Sequence, residues 1–215
     1  MSARTRIKIC GVSRPEDVAA AVDAGADAVG FVFHPGSPRF LTVERAALLA
    51  RALPPYVTPV GLFVNAEARV IAAAVAAIPN LVLQFHGDES ASECVAAGRP
   101  FLKAARMAPG FDLLDFARRF SEAQGLLLDA HVEAYGGSGK VFDWSLVPRA
   151  VPHRLVLSGG LHAANVGSGI LEIRPWAVDV SSGVESSRGV KDAAAIRAFC
   201  DAVRDADSRI DASIS

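Results

Sequence analysis

Charge of one sign is missing from this chain. Its 215 residues carry 22 Lys and Arg against 23 Asp and Glu, a formal net charge of −1, and the charges are scattered. That balance leaves no electrostatic footprint for nucleic acid or an anionic membrane, and a small ligand is the expected partner. Long hydrophobic runs are missing too. No apolar stretch approaches the ~20 residues needed to cross a bilayer, and the opening MSARTRIKIC has no apolar segment of signal-peptide length. The expectation is a cytoplasmic protein with no membrane partner. Cysteine is scarce: Cys10, Cys94 and Cys200 are widely spaced and odd in number, which argues against a disulfide framework and fits a reducing compartment. His34, His131, His153 and His162 show no ligand spacing and read as surface or loop residues. No linker or low-complexity stretch interrupts the chain.

What is present is a hydrophobic sequence, apolar at 51% of positions and long enough for one substantial core. Short β-branched runs, Gly-containing loops and Ala/Leu-rich stretches follow one another along it. Their periods predict strands near 5–10, 28–33, 57–64, 81–85, 101–105, 125–129, 154–158 and 176–181. Helices are predicted near 15–24, 43–53, 67–77, 90–97, 111–120, 144–150, 162–171 and 191–205. The first helix has a readable start, with Ser13 as N-cap, Pro15 in the first turn and Glu16 closing a capping box. Alternation of this kind implies parallel strands with right-handed crossovers. Eight βα units in so short a chain predict an α/β fold, a single-domain (β/α)8 TIM barrel over residues 1–215, although an open doubly wound sheet satisfies the count as well. The stretch DADSRIDASIS, from Asp205, reads as a flexible tail.

In a barrel, function belongs at the carboxyl ends of the strands. Strand one ends in Cys10, strand two runs into HPGSPRF, strand four ends LQFHG, strand six ends in Asp129, strand seven gives LSGGL and strand eight VDVSSGVE. A core needs none of these polar groups. Strand parity puts Lys8 with Cys10 on one face, Leu127 with Asp129, and Asp179 with Ser181, so a thiol and a carboxylate can face one mouth.

Taken in order, KICG, GADAVGFVF, SPRF, LQFHG, YGGSGKVFDW, LSGGL and VDVSSGVE span nearly the whole chain and resemble the phosphoribosylanthranilate isomerase family of tryptophan biosynthesis. The resemblance implies an Amadori rearrangement of a small phosphorylated substrate; monomer and homodimer both stay open, because interface patches are not readable from the sequence. It gives Cys10 the role of general base, Asp129 that of general acid, and Arg39 that of holding the anthranilate carboxylate. Gln84 and His86 match further pocket positions, and Asp179 joins the substrate-binding set. Gly159, Gly160, Ser181, Ser182 and Gly183 match the phosphate-binding loops.

Elementary chemistry asks for the same parts. Turning an N-aryl ribosylamine phosphate into an aminodeoxyketose needs a proton delivered to the furanose ring oxygen and another removed from C2′. A carboxyl group donates near neutral pH only if burial or a like charge raises its pKa above ~3.9. A thiol must lose its proton to act as base, which a nearby cation such as Lys8 favours. No redox step or hydrolysis enters, so no cofactor and no metal is required. Loops seven and eight of a barrel, with a helix amino terminus, are a general place for an anion, and Arg39 would give a carboxylate a planar partner.

Plainer readings stay open at several positions. A strand-end Asp such as Asp129 is often a turn or cap residue, Asp179 fits equally as a buried structural partner of Lys8, and Arg39 alone reads as a solvated loop charge. Cys94 and Cys200 read as small buried hydrophobes. EAYGGSGKVF imitates a Walker A loop but has Ala134 and Val141 where Gly and Ser or Thr belong; it reads as a glycine-rich flap or a plain loop. A ribulose-phosphate epimerase or a non-catalytic phosphometabolite-binding module would share the phosphate loops, but the first needs paired acidic and His metal ligands and the second needs neither Cys10 nor Asp129.

Overall fold

The computed structural model describes residues 4–130 and 142–212. Eight parallel strands close on themselves: β1 (Arg6–Cys10), β2 (Ala28–Val32), β3 (Thr58–Phe63), β4 (Val82–Phe85), β5 (Phe101–Met107), β6 (Gly125–Ala130), β7 (Leu155–Leu157) and β8 (Ala177–Val180). Each pairs with the next, and β8 returns to β1 with Lys8 opposite Asp179. Around them run α1 (Pro15–Asp23), α2 (Val43–Ala50), α3 (Ala68–Ala77), α4 (Ala91–Ala96), α5 (Leu113–Arg119), α6 (Val166–Ile173) and α7 (Ala193–Ala212). The barrel expected from the alternation is thus present.

Both faces of every strand are covered, which is why the strands read as nearly continuous apolar runs. Outward residues such as Ile9, Val29, Leu126 and Val178 are buried under the helices, while Ala104, Leu127, Val156 and Ala177 form a separate inner cluster. Between β2–β5 and their helices the Phe33 and Phe63 rings stack at 5.0 Å, Phe63 meets Phe85 at 6.3 Å, and Phe85 meets Phe101 at 5.8 Å. Each such burial contributes about 1.5–3 kcal/mol. The helices therefore pin the strands from outside, and the inner face is free to carry polar groups at its upper end.

Four local expectations change. The N-cap of α1 is Arg14, not Ser13, and the box is closed by Asp17, not Glu16: the buried Asp17 carboxylate accepts from the Ser13 and Arg14 N–H groups at 3.0 and 3.1 Å. The helix expected over 144–150 is a single 3-10 turn, Trp144–Leu146. Pro148 lacks an N–H and drives Val147 to extended backbone, φ −84° and ψ 117°. At the other end, the segment from Asp205 to Ala212 is not a loose tail but the last part of α7. Ala206 and Ile210 continue its buried stripe, and the Asp207 carboxylate accepts from Thr5 N and Oγ1 at 2.8 and 2.7 Å. Finally, a small hairpin of β9 (Glu185–Ser187) and β10 (Val190–Lys191) follows β8. His131 and residues 133–141 of the glycine-rich loop lie outside the described residues.

Candidate active site

The carboxyl end of β1 brings Cys10 to the barrel mouth opposite Gly30 of β2. That neighbour has to be glycine: a Cβ there would stand 2.8 Å from Cys10 Sγ and 3.1 Å from Lys8 Nζ. Two residues down the same face, Lys8 Nζ donates to Asp179 Oδ1 at 2.7 Å, with both side chains buried, and Ser158 Oγ donates to Oδ2 at 3.4 Å. The pairing read from adjoining strands is therefore present. Its effect on the thiol differs from the simple expectation. Burial pushes the Cys10 thiol above its ordinary pKa; Lys8 and Lys191 pull it down, and Asp179 pushes it up again. Lys8 acts in the expected direction, but its charge is shared with Asp179 and burial prevails.

On the other wall β4 and β6 build a chain of three. Gln84 Nε2 lies 3.1 Å from His86 Nδ1, and His86 Nε2 lies 3.0 Å from Asp129 Oδ2. The Ala130 N–H donates to Asp129 Oδ1 at 2.9 Å. Gln84 and His86 share a strand face by their spacing of two, and β4 has no choice but to present both inward, because Leu83 and Phe85 fill the outer core.

Arg39 reaches the mouth from the loop after β2 and is not a solvated charge: it is 8% exposed. Its Nε and Nη2 donate to the two oxygens of Glu185 at 2.6 and 2.8 Å. Glu185 also accepts from Lys191 Nζ at 2.7 Å and from the Gly189 N–H at 3.1 Å. One guanidinium edge is thus already taken, and Nη1 is the part of the fork outside this pair. Burial alone would raise the Glu185 pKa, but the Arg39 and Lys191 bonds overcome it and hold the carboxyl below its ordinary range. A depressed carboxyl pKa contributes stability that is present above the unfolded value, ~4.3, and lost as pH falls through the folded one. Glu185→Gln should therefore lower the thermal midpoint at neutral pH, by about 2 kcal/mol of stability, and flatten its decline below about pH 4.3. Parallel acid-melting curves for the two proteins would refute this.

The loops after β7 and β8 close the remaining side. Gly159 and Gly160 take φ of +79° and +63°, a turn that side chains resist. One cavity is lined by Cys10, Arg39, Gln84, His86, Asp129 and Asp179, with Gly160, Ser181 and Ser182 across from them. Gly159 and Gly183 stand behind this lining. Gly159 packs against Asp129, where a Cβ would lie 2.8 Å from Oδ1, and at Gly183 a Cβ would run into the Leu161 carbonyl oxygen. Sequence reasoning missed His34, Ser37 and Ser158 in the lining of the same cavity, although all three sit in the HPGSPRF and LSGGL segments. It also missed Glu185, whose only signal is its place at the end of VDVSSGVE. Cys94 of α4 and Cys200 of α7 are fully buried, and burial pushes both thiols up to about 11. Among the described residues no three His, Cys, Asp or Glu side chains group closely enough to hold a metal ion, and no helix is long and apolar enough to cross a membrane.

Known proteins share this fold. The family profile described as N-(5'phosphoribosyl)anthranilate (PRA) isomerase matches residues 7–202. The N-(5'-phosphoribosyl)anthranilate isomerase of Methylibium petroleiphilum is 69% identical over 210 residues, covering 98% of this chain and 99% of that one. The crystal structure of phosphoribosyl anthranilate isomerase from Thermotoga maritima superposes with a TM-score of 0.85 at 41% identity, covering 94% of this chain and 99% of that one. A phosphoribosyl anthranilate isomerase solved with reduced 1-(o-carboxyphenylamino)-1-deoxyribulose 5-phosphate gives a TM-score of 0.81 at 39% identity, with 94% and 99% covered. The chain belongs to the N-(5'-phosphoribosyl)anthranilate isomerase family.

Proposed function

We propose that Asp129 is the general acid and Cys10 the general base of the reaction that belongs to this family. That reaction is the Amadori rearrangement of N-(5-phospho-β-D-ribosyl)anthranilate to 1-(2-carboxyphenylamino)-1-deoxyribulose 5-phosphate in tryptophan biosynthesis. The observation that carries the assignment is that a thiol on β1 and a carboxyl on β6, separated around the closed sheet by β7 and β8, line one cavity. Asp129 gives its proton to the ring oxygen, the C1′–O bond breaks with its electron pair on that oxygen, and the nitrogen lone pair closes C1′=N. The cation so formed acidifies C2′–H, and the Cys10 thiolate removes that proton to leave an enolamine, which becomes the ketone as C1′ takes up a proton and the C2′ hydroxyl releases one.

The two ends of the substrate have distinct partners. Gly160, Ser181 and Ser182 offer main-chain and hydroxyl groups to the phosphate, in the loops where barrels of this kind take anions. Arg39, steadied by Glu185, presents Nη1 to the anthranilate carboxylate. Asp179 lines the cavity as the counter-charge of Lys8, close enough for Ser158 to join it. The scattered surface charge and the biosynthetic role support a cytoplasmic place for an enzyme that works on a small substrate as a monomer or homodimer.

Loss of fluorescence from phosphoribosylanthranilate generated in situ, with no added metal or nicotinamide, is the direct test; a chain that leaves the signal unchanged does not have this activity. Gly183→Ala tests the phosphate end. Its Cβ must displace the Leu161 carbonyl and with it the loop that faces Ser182, so KM should rise about tenfold or more while kcat falls less. Unchanged affinity for both substrate and inorganic phosphate would place the phosphate elsewhere.

A further inference from the structure

Gln84 is fully buried and uses only half of its amide. Its Nε2 meets His86 Nδ1, while Oε1 has no hydrogen-bond partner among the described residues. A buried amide oxygen left bare is unfavourable, and the two ends of an amide have nearly the same shape, so a half-turn exchanges them without repacking. Which end faces His86 depends on how many protons the His86–Asp129 pair holds. With one proton, the imidazole carries it on Nε2 and donates to the ionised Asp129 Oδ2, so Nδ1 is bare and needs a donor. With a second proton, whether it sits on Oδ2 or is shared with Nε2, Nδ1 bears hydrogen and needs an acceptor. Gln84 supplies the donor in one orientation and the acceptor in the other.

Resting on the reading of Asp129 as the acid, we infer that Gln84 is a positioning residue that links its amide orientation to the charging of that acid. Oxygen-first, it stabilises the pair that holds the proton needed for ring opening. Nitrogen-first, it stabilises the pair that remains after the carboxyl has given that proton to the ring oxygen. The difference between the two settled states is one proton, which is the number the step consumes. Other charged groups around the pair are fixed. Arg106 on β5 donates from Nη2 to the His86 carbonyl at 3.3 Å and pairs with Asp88 at 3.2 Å. Lys103 and Glu89 form their own buried pair at 2.7 Å. Cys10, Lys8 and Asp179 face the pair from across the mouth. All of these keep their places when the amide turns, because the turn exchanges two atoms within one group.

The test follows the imidazole and the carboxyl directly. In 15N spectra of histidine-labelled wild-type protein, assigned with a His86 variant, His86 should change from Nε2–H to Nδ1–H as pH falls, in step with protonation of Asp129 read from 13C-labelled aspartate. Gln84→Met, which neither donates nor accepts, leaves His86 Nδ1 without a partner in either state and should reduce kcat about tenfold with little change in KM. Gln84→Glu, which only accepts when ionised, should move protonation higher and keep hydrogen on Nδ1. One His86 tautomer in the wild type across the whole Asp129 titration would overturn the inference, however the variants fold. So would a folded Gln84→Met with unchanged kcat. Failure of the underlying reading looks different: it is an Asp129→Asn enzyme that still turns over.

Discussion

Cys10→Ala should lower turnover by about 10²–10⁴-fold or more while a product analogue binds nearly as before. The size follows from losing the only group proposed to take the C2′ proton. Binding survives because the residues that hold the two ends of the ligand, Arg39 on one side and Gly160, Ser181 and Ser182 on the other, belong to different loops from Cys10. Alanine also fits the space, since the neighbouring Gly30 leaves room for sulfur and a smaller group makes no new contact. Near-wild-type kcat in this variant would remove the thiol from the mechanism. The pH dependence has a definite sign. Burial holds the Cys10 thiol above its ordinary pKa, so in the free protein its thiolate absorbance should appear only at a pH above that of an ordinary thiol, and the base form is lost as pH falls. One group must have lost its proton and the other kept it, so the rate profile is bell-shaped and its limbs belong to the pair.

The second large effect is a contrast between two carboxylates. Asp129→Asn keeps the shape and the contact with His86 but cannot donate a comparably acidic proton, and should lose about 10²–10⁴-fold in kcat at every pH. Asp179→Asn should retain more turnover and lose stability instead. It leaves the buried Lys8 ammonium without its counter-charge, a change of about 3 kcal/mol, which for a chain of this size lowers Tm by roughly 6–12 °C. The measurement is a side-by-side comparison of kcat, pH profile and thermal midpoint. An Asp179→Asn protein that is inactive yet stably folded, beside an active Asp129→Asn, would put the acid on β8 rather than β6.

The inward groups were legible because the barrel writes them in a simple code. A strand buried on both faces leaves no reason for Cys10, Gln84 or Asp129 except at its carboxyl end, and period-2 parity says which of them point the same way. Glu185 was not legible. Its partner Arg39 is 146 residues away, and no local pattern marks a carboxylate that steadies an arginine across two loops. The ends of α1 and α7 failed for a related reason. Asp17 beats Glu16 as the box residue because it is the one buried, and Ala206 and Ile210 belong to a helix because they pack on the barrel, not because DADSRIDASIS is a strong helix former. The short Trp144–Leu146 turn, by contrast, was announced by Pro148 and needed only stricter reading.

Lys8 and Asp179 stand 171 residues apart, on the first and last strands of the barrel. A contact of that span cannot form while the chain is still emerging or collapsing locally; it waits for the seam between β1 and β8 to zip, and long-range pairing of this kind is slow. Until then Cys10 is an ordinary exposed thiol, and afterwards it is buried, with its reactivity suppressed. A pulse of alkylating reagent during refolding therefore times the closing of the ring at the same sulfur that is proposed as the base, so one atom would serve as both clock and catalyst.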